Sequence, residues 1–273
     1  IVTVTAALVV GSTVGSPEEV VRVQISLDSA GATVASIQVN LAFDGGVLTS
    51  PAGAISTALP EGWVFESNSP AAGELRFVLL DLTAVGQPFN GPIFEATFTI
   101  DAGAPAGDVS ITAAIAEAVD DAGMTLIMTV TDGIVTVTAA LVVGSTVGSP
   151  EEVVTVQISL DSAGTTVSLV QVNLRFDGAN LTIPVGARGT ALPAAWFFIS
   201  NSPAAGELRF VSLDLAGMGQ PINGPIFEAT FTIDAGAPLG DVSITAEVAT
   251  AIDDAGVALI VTVTNGVVTV GGP

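Results

Sequence analysis

This chain repeats itself. Adding 133 to a position in the first half of the 273-residue sequence lands on its counterpart in the second: Phe43 on Phe176, Trp63 on Trp196, Asn68 on Asn201, Pro88 on Pro221, Gly107 on Gly240. The opening stretch, 1–21, recurs without a gap at 134–154. So long a period excludes a solenoid, whose units run to about 20–50 residues and cannot bury a core alone. Each unit is long enough to close its own core, so two domains are expected, 5–137 and 138–273, with 1–4 an extra copy of the unit's last strand.

Composition then narrows the function classes. Hydrophobic residues reach 49%, yet they come as short runs of Val, Ile, Leu and Ala. None approaches the roughly 18–20 apolar residues of a membrane helix, and no charged stretch precedes an apolar leader. The first residue is Ile1 rather than Met, which points to a processed protein or an excised piece. Acidic residues number 27 against five Arg (Arg22, Arg76, Arg175, Arg188, Arg209) and no Lys, for a net charge of -22. That charge repels nucleic acid and anionic lipid, so nucleic-acid binding and membrane insertion are not expected. The acidity reads either as cation binding or life in salt, or as a coat that keeps a sticky β-rich chain apart. Cys, His and Tyr are absent. Disulfides, thiolate chemistry, His-centred sites and a Ser–His nucleophile are thereby excluded, and no enzyme is expected. A metal, if present, would be a hard cation on carboxylates and carbonyls.

Strand signals recur about every 8–12 residues, the pattern of an all-β domain. Residues 7–10 read as a strand, 11–19 as a turn, 20–27 as a clean alternator and 28–33 as a loop. Residues 36–43 alternate best: Ile37, Val39, Leu41 and Phe43 should face the core, and Ser36, Gln38, Asn40 and Ala42 should face out. The outward row is small and uncharged, which suits a contact surface; in the second copy it is Leu169, Gln171, Asn173 and Arg175, so only its ends change. Further strands follow around 47–55, 63–67, 75–82, 92–100, 109–119, 126–130 and 134–137, while 187–189 look loop-like. Asp132-Gly133 and Asn265-Gly266 read as positive-φ hairpin turns. With one Trp per unit, packing is its expected role rather than sugar stacking. About nine strands, no helix-period segment and regular turns make a two-sheet sandwich the natural solution.

The ordered motifs resemble the cohesin family. They are Leu8-Val-Val-Gly-Ser with the stretch 15–27, Ile37-Gln-Val-Asn-Leu-Ala-Phe-Asp44 with Leu48, Gly73-Glu-Leu-Arg-Phe77, Phe94-Glu-Ala-Thr-Phe-Thr-Ile100, Ala104-Pro-Ala-Gly107 and Asp132-Gly-Ile-Val-Thr-Val137. The likeness spans nearly all of both repeats. It implies an all-β chain of two tandem nine-stranded jelly-roll sandwiches, joined by a very short linker, that perform no chemistry. Cohesins bind dockerins, small calcium-loaded modules, through one flat sheet face and adjoining loops. By position that face would include Gln38, Asn40 and Asp44, with Gln171, Asn173 and Asp177 in the second unit. Two departures stand out: the Pro after the aromatic-Asp is Gly45 and Gly178, and the aromatic is Phe rather than the common Tyr.

Other features fit around this reading. The acidic turns Asp120-Asp121 and Asp253-Asp254 are candidate Ca2+ ligands together with loop carbonyls, or plain solvated turns. Glu18-Glu19 and Glu151-Glu152 read as solvated turns, and Asn180-Leu-Thr182 is a lone glycosylation sequon. Only Thr138-Ala-Ala separates the last strand of one unit from the first of the next, which implies a stiff or narrowly hinged pair. The leading strand 1–4 points to excision from a longer array, or to strand donation into a neighbouring molecule. Two functions are therefore expected. One is a non-catalytic extracellular or cell-surface module binding a dockerin-like partner. The other is a structural repeat of an adhesin, fibre or filament that associates with copies of itself.

Overall fold

The computed structural model describes residues 5–56, 61–83 and 85–272, without the side chains of 115, 116, 248 and 249. The extra strand expected at 1–4 lies outside the described residues. The chain divides into two compact units, Ile1–Val137 and Thr138–Pro273. Among the described residues every regular element is a strand, and no helix is long and apolar enough to cross a membrane.

The first unit runs β1 (Ala6–Val10), β2 (Thr13–Gly15), β3 (Val20–Asp28), β4 (Ser36–Ala42), β5 (Leu48–Ile55), β6 (Trp63–Asn68), β7 (Glu74–Asp81), β8 (Asn90–Ile100), β9 (Gly107–Val119), β10 (Met128–Thr131) and β11 (Gly133–Val137). The second runs β12 (Ala139–Val143), β13 (Thr146–Gly148), β14 (Val153–Val167), β15 (Leu169–Phe176), β16 (Leu181–Arg188), β17 (Phe197–Asn201), β18 (Glu207–Leu213), β19 (Gln220–Ile233), β20 (Gly240–Ile252), β21 (Val261–Thr264) and β22 (Gly266–Val270). Each unit is the expected jelly-roll sandwich. Its strands include two short strips of three and four residues, β2 and β10 in the first unit.

In the first unit one sheet has the order β10-β1-β3-β8-β5 and the other β2-β11-β9-β4-β7-β6; the second unit repeats both orders. The alternation seen in the sequence sets which sheet face is inside. Ile37, Val39 and Leu41 of β4 are buried, as are Leu75, Phe77 and Leu79 of β7. Across the sandwich Phe77 of one sheet stacks on Phe94 of the other at 4.8 Å and 13°, and Phe210 stacks on Phe227 at 4.8 Å and 9°. Burying one Phe side chain contributes roughly 1.5–3 kcal/mol, and the ring pairing adds about 0.5–1.5 kcal/mol. The Trp residues pack as expected: Trp63 meets Phe89 edge-on at 5.4 Å, and Trp196 is buried.

Chain crossings between sheets correct the hairpin reading of Asp132-Gly133 and Asn265-Gly266. Neither Gly has a positive φ. Strand β10 pairs in parallel with β1 in one sheet, and β11 pairs in parallel with β2 in the other. The chain changes sheets at Gly133, where a Cβ would lie 2.2 Å from the Gly11 carbonyl oxygen, closer than any side chain can come. Gly11-Ser12 is the matching crossing, and the Ser12 hydroxyl accepts the Ile134 N–H at 3.0 Å. Two smaller differences concern loops. Ala187 and Arg188, expected in a loop, pair with Glu228 and Phe227 at the end of β16. In the second unit the counterpart of the 28–33 loop is an irregularity inside β14: Ala163 and Gly164 take positive φ, and Thr166 and Val167 resume the ladder opposite Pro221 and Gln220.

Candidate functional site

The outer face of the six-stranded sheet follows from register, because residues directly opposite in a ladder share a face. On β4, Gln38 lies between Glu117 of β9 and Val78 of β7, with Glu66 of β6 beyond. The next row is Ala114, Asn40, Arg76 and Asn68. In the second unit the same rows are Thr250, Gln171, Val211, Ile199 and then Glu247, Asn173, Arg209, Asn201. Of the residues expected at the site, the structure thus brings Gln38 with Asn40, and Gln171 with Asn173, onto one face per unit, each half-buried.

In the first unit Gln38 Nε2 donates to Asn40 Oδ1 at 3.1 Å, and Arg76 Nε donates to the same oxygen at 3.2 Å. In the second unit Arg175 stands where Ala42 is, and it pairs with Glu207 at 2.7 Å. Arg209, the counterpart of Arg76, also reaches Glu207, at 3.2 Å. Asn173 Oδ1 is buried with no hydrogen-bond partner among the described residues. A buried acceptor in that state costs about 1–3 kcal/mol. Ala42 leaves a depression of about 310 Å³ lined by Asn40, Glu74, Arg76, Thr112 and Ala114. Arg175 and Glu247 occupy the corresponding positions of Ala42 and Ala114 in the second unit.

Asp44 and Asp177 sit beyond the row rather than in it. Asp44 Oδ1 accepts the Gly46 N–H at 2.8 Å, and its carbonyl accepts those of Val47 and Leu48. Asp177 Oδ1 accepts from Ala179 at 2.9 Å, and its Oδ2 accepts Asn180 Nδ2 at 2.9 Å. Both exposed carboxylates close the loop that leaves the face. The departure from Pro at the next position has a local reason: a Cβ at Gly45 would stand 2.5 Å from the Gly73 nitrogen, and one at Gly178 would stand 2.5 Å from that of Gly206.

Sequence reasoning missed the rest of the face. Alternation along 75–82 could have placed Arg76, Val78 and Leu80 outward beside Gln38. An apolar rim follows: Val64, Leu80, Leu82 and Val85 are exposed in the first unit, and Phe197, Ile199, Leu215 and Met218 in the second. The loop carrying Leu82 and Val85 is held by Asp81, only 5% exposed. Its carboxylate accepts the Thr83 hydroxyl at 2.6 Å and the N–H groups of Thr83, Val85 and Gly86. The Thr83 hydroxyl, followed by the three N–H groups, holds this carboxyl below the usual carboxylate range despite its desolvation. Asp214 is lowered in the same way by the N–H groups of Ala216, Gly219 and Met218.

The two acidic turns are spent largely on local bonds. Asp120 Oδ1 accepts the Ala122 and Met124 N–H groups, while Asp121 Oδ1 accepts the Thr33 hydroxyl at 2.6 Å. Asp253 and Asp254 repeat this with Val257 and Thr166. No group of three or more acidic side chains gathers anywhere among the described residues, so each pair supplies only part of the six to eight oxygens calcium takes. Glu19 and Glu152 are exposed and accept the N–H groups of Ser16 and Ser149 in their own turns.

A family model described as the Cohesin domain matches residues 6–137 and again 139–270. Among solved structures, the seventh ScaB type I cohesin from Pseudobacteroides cellulosolvens is 19% identical, with a TM-score of 0.46, over 50% of this chain and 94% of that one. The sixth cohesin of scaffoldin B from Acetivibrio cellulolyticus, solved with a Cel5 dockerin, is 21% identical, with a TM-score of 0.44, over 49% and 99%. A non-cellulosomal cohesin from the archaeon Archaeoglobus fulgidus is 15% identical, with a TM-score of 0.40, over 49% and 91%. No curated protein matches the chain.

Proposed function

This chain belongs to the cohesin family, and from that premise we propose that units 5–137 and 138–273 each capture a dockerin-type protein through the outer face of the six-stranded sheet. Cohesin domains are protein-interaction modules, and the chain is read as non-catalytic on the same ground. The observation that carries the site is the pair of faces itself. Gln38, Asn40, Asn68, Arg76 and Val78 recur unchanged as Gln171, Asn173, Asn201, Arg209 and Val211, on one outer face per unit in the same register. Asp44 and Asp177 belong to this site as loop closures at its end. An extracellular or cell-surface scaffold is the setting that such modules fit.

The test is a double substitution, Asn40→Arg with Asn173→Arg, in the full chain. Each places a long cation where a flat contact must form and leaves the core untouched. We expect capture of a dockerin module to fall at least about a hundredfold, the scale of losing an interface anchor, with the melting temperature almost unchanged. Retained capture would remove this face from the site.

A further inference from the structure

We propose that the two faces select different partners: the first unit a dockerin module presenting Lys or Arg over the Gln38 row, the second a module presenting apolar side chains over the Gln171 row. This inference rests on the dockerin reading above and adds what distinguishes one unit from the other.

The argument comes from where two copies of one sequence have diverged. Under the face the core barely changes: Val39, Leu41, Leu75 and Phe77 recur as Val172, Leu174, Leu208 and Phe210. On the face the central strip is also retained. The flanks are not. At the ends of the Gln38 row stand Glu66 and Glu117; at the ends of the Gln171 row stand Ile199 and Thr250. Neighbouring rows change in the same direction, Ser36 to Leu169 and Val64 to Phe197. Phe197 and Ile199 are 47% and 50% exposed, so the second face offers a broad apolar flank.

Charge points the same way. Glu66 and Glu117 are exposed, and neither belongs to an ion pair among the described residues. Two carboxylates bracketing a neutral row attract a cationic side chain and disfavour an apolar one, which would desolvate them without compensation. On the second face Arg175 and Arg209 share Glu207, while Glu247 of the Asn173 row is exposed and outside any ion pair among the described residues. Two cations there face two carboxylates, whereas the first face sets Glu66, Glu74 and Glu117 against Arg76 alone. Shape adds a further distinction. The depression over Ala42 can receive a partner side chain, whereas Arg175 projects from the same position of the second unit.

The experiment uses the full chain with one face blocked, Asn173→Arg to leave the first and Asn40→Arg to leave the second. A displayed library of dockerin modules with randomised surface positions is selected on each, and the best clones are titrated against both chains. If either blocked chain melts early, Gln171→Arg or Gln38→Arg replaces it. We expect the first face to enrich Lys and Arg and the second Leu, Ile and Phe. Each clone should prefer its own face by about tenfold or more, the first preference weakening with salt. Glu66→Ile with Glu117→Thr should move the first face toward the second's clones. Matching residue patterns and equal affinities on both faces would overturn the selectivity while leaving the dockerin reading intact. A library in which nothing binds the unblocked chain would overturn both.

Discussion

Asp81 is a buried carboxylate that organises a surface. Its four accepted hydrogen bonds fix the loop that presents Leu82 and Val85 beside the candidate face. Because its folded pKa is lowered, its contribution is fully present above the unfolded value and is lost as pH falls through the folded one, a window below roughly pH 4. Asp81→Asn should therefore lower the first unit's melting temperature by several degrees at pH 7, and the deficit should shrink in thermal melts taken toward pH 3. Asp214→Asn should cost less, since Ala216 has no hydroxyl to match Thr83. Equal deficits at both pH values would show that ionisation is not what the loop uses. This role is not legible in the sequence: the conspicuous acidic residues are adjacent pairs, and nothing in the spacing of a lone Asp at a strand end announces burial. Gln38 and Asn40 were legible, because alternation alone decides which side of a strand they occupy.

At the scale of elements, alternation located most strands, and it failed where the chain changes sheets. The dipeptide Asp132-Gly133 carries hairpin chemistry, yet its Gly serves steric clearance: the Gly11 carbonyl passes 2.2 Å from where a Cβ would sit. Local sequence cannot report a contact with a residue 122 positions earlier. Gly133→Ala should destabilise the first unit by about 1–3 kcal/mol, the usual cost of forcing an atom into a packed site. Gly272→Ala, with open space around it, serves as the control. Calorimetry on the full chain would check both, and a neutral Gly133→Ala would mean the crossing gives way. Arg188, which local sequence puts in a loop, ends a strand for a similar reason. Its guanidinium donates to the carbonyls of Pro193 and Trp196 and lies 5.8 Å from the Phe198 ring centre, contacts that hold a strand end together from outside its own ladder.

Across the whole molecule the duplication was the most legible feature, and comparing its halves yielded more than either half would alone. Retained positions mark the core and the shared strip, and changed ones mark the flanks. Which partner those flanks meet depends on a surface outside this chain. One consequence of the fold lies in how a unit would carry tension. The first unit begins with β1 and β2 and ends with β10 and β11, which pair in parallel, β1 with β10 and β2 with β11; the second repeats this with β12–β21 and β13–β22. Pulling the two ends of a unit apart therefore slides parallel strands along each other, loading their hydrogen bonds together. Pulling on the β6–β7 hairpin at Trp63 and Asp81, which face each other across the ladder, would instead peel bonds one at a time. Single-molecule extension should show a rupture force several-fold higher from handles at 6 and 137 than from handles at 63 and 81, and the absence of Cys makes both attachments easy to engineer. Similar forces in the two geometries would mean that the unit yields elsewhere first. A higher force from the handles at 6 and 137 makes the strands that close each sandwich its latch, strongest along the line on which a tandem array is stretched.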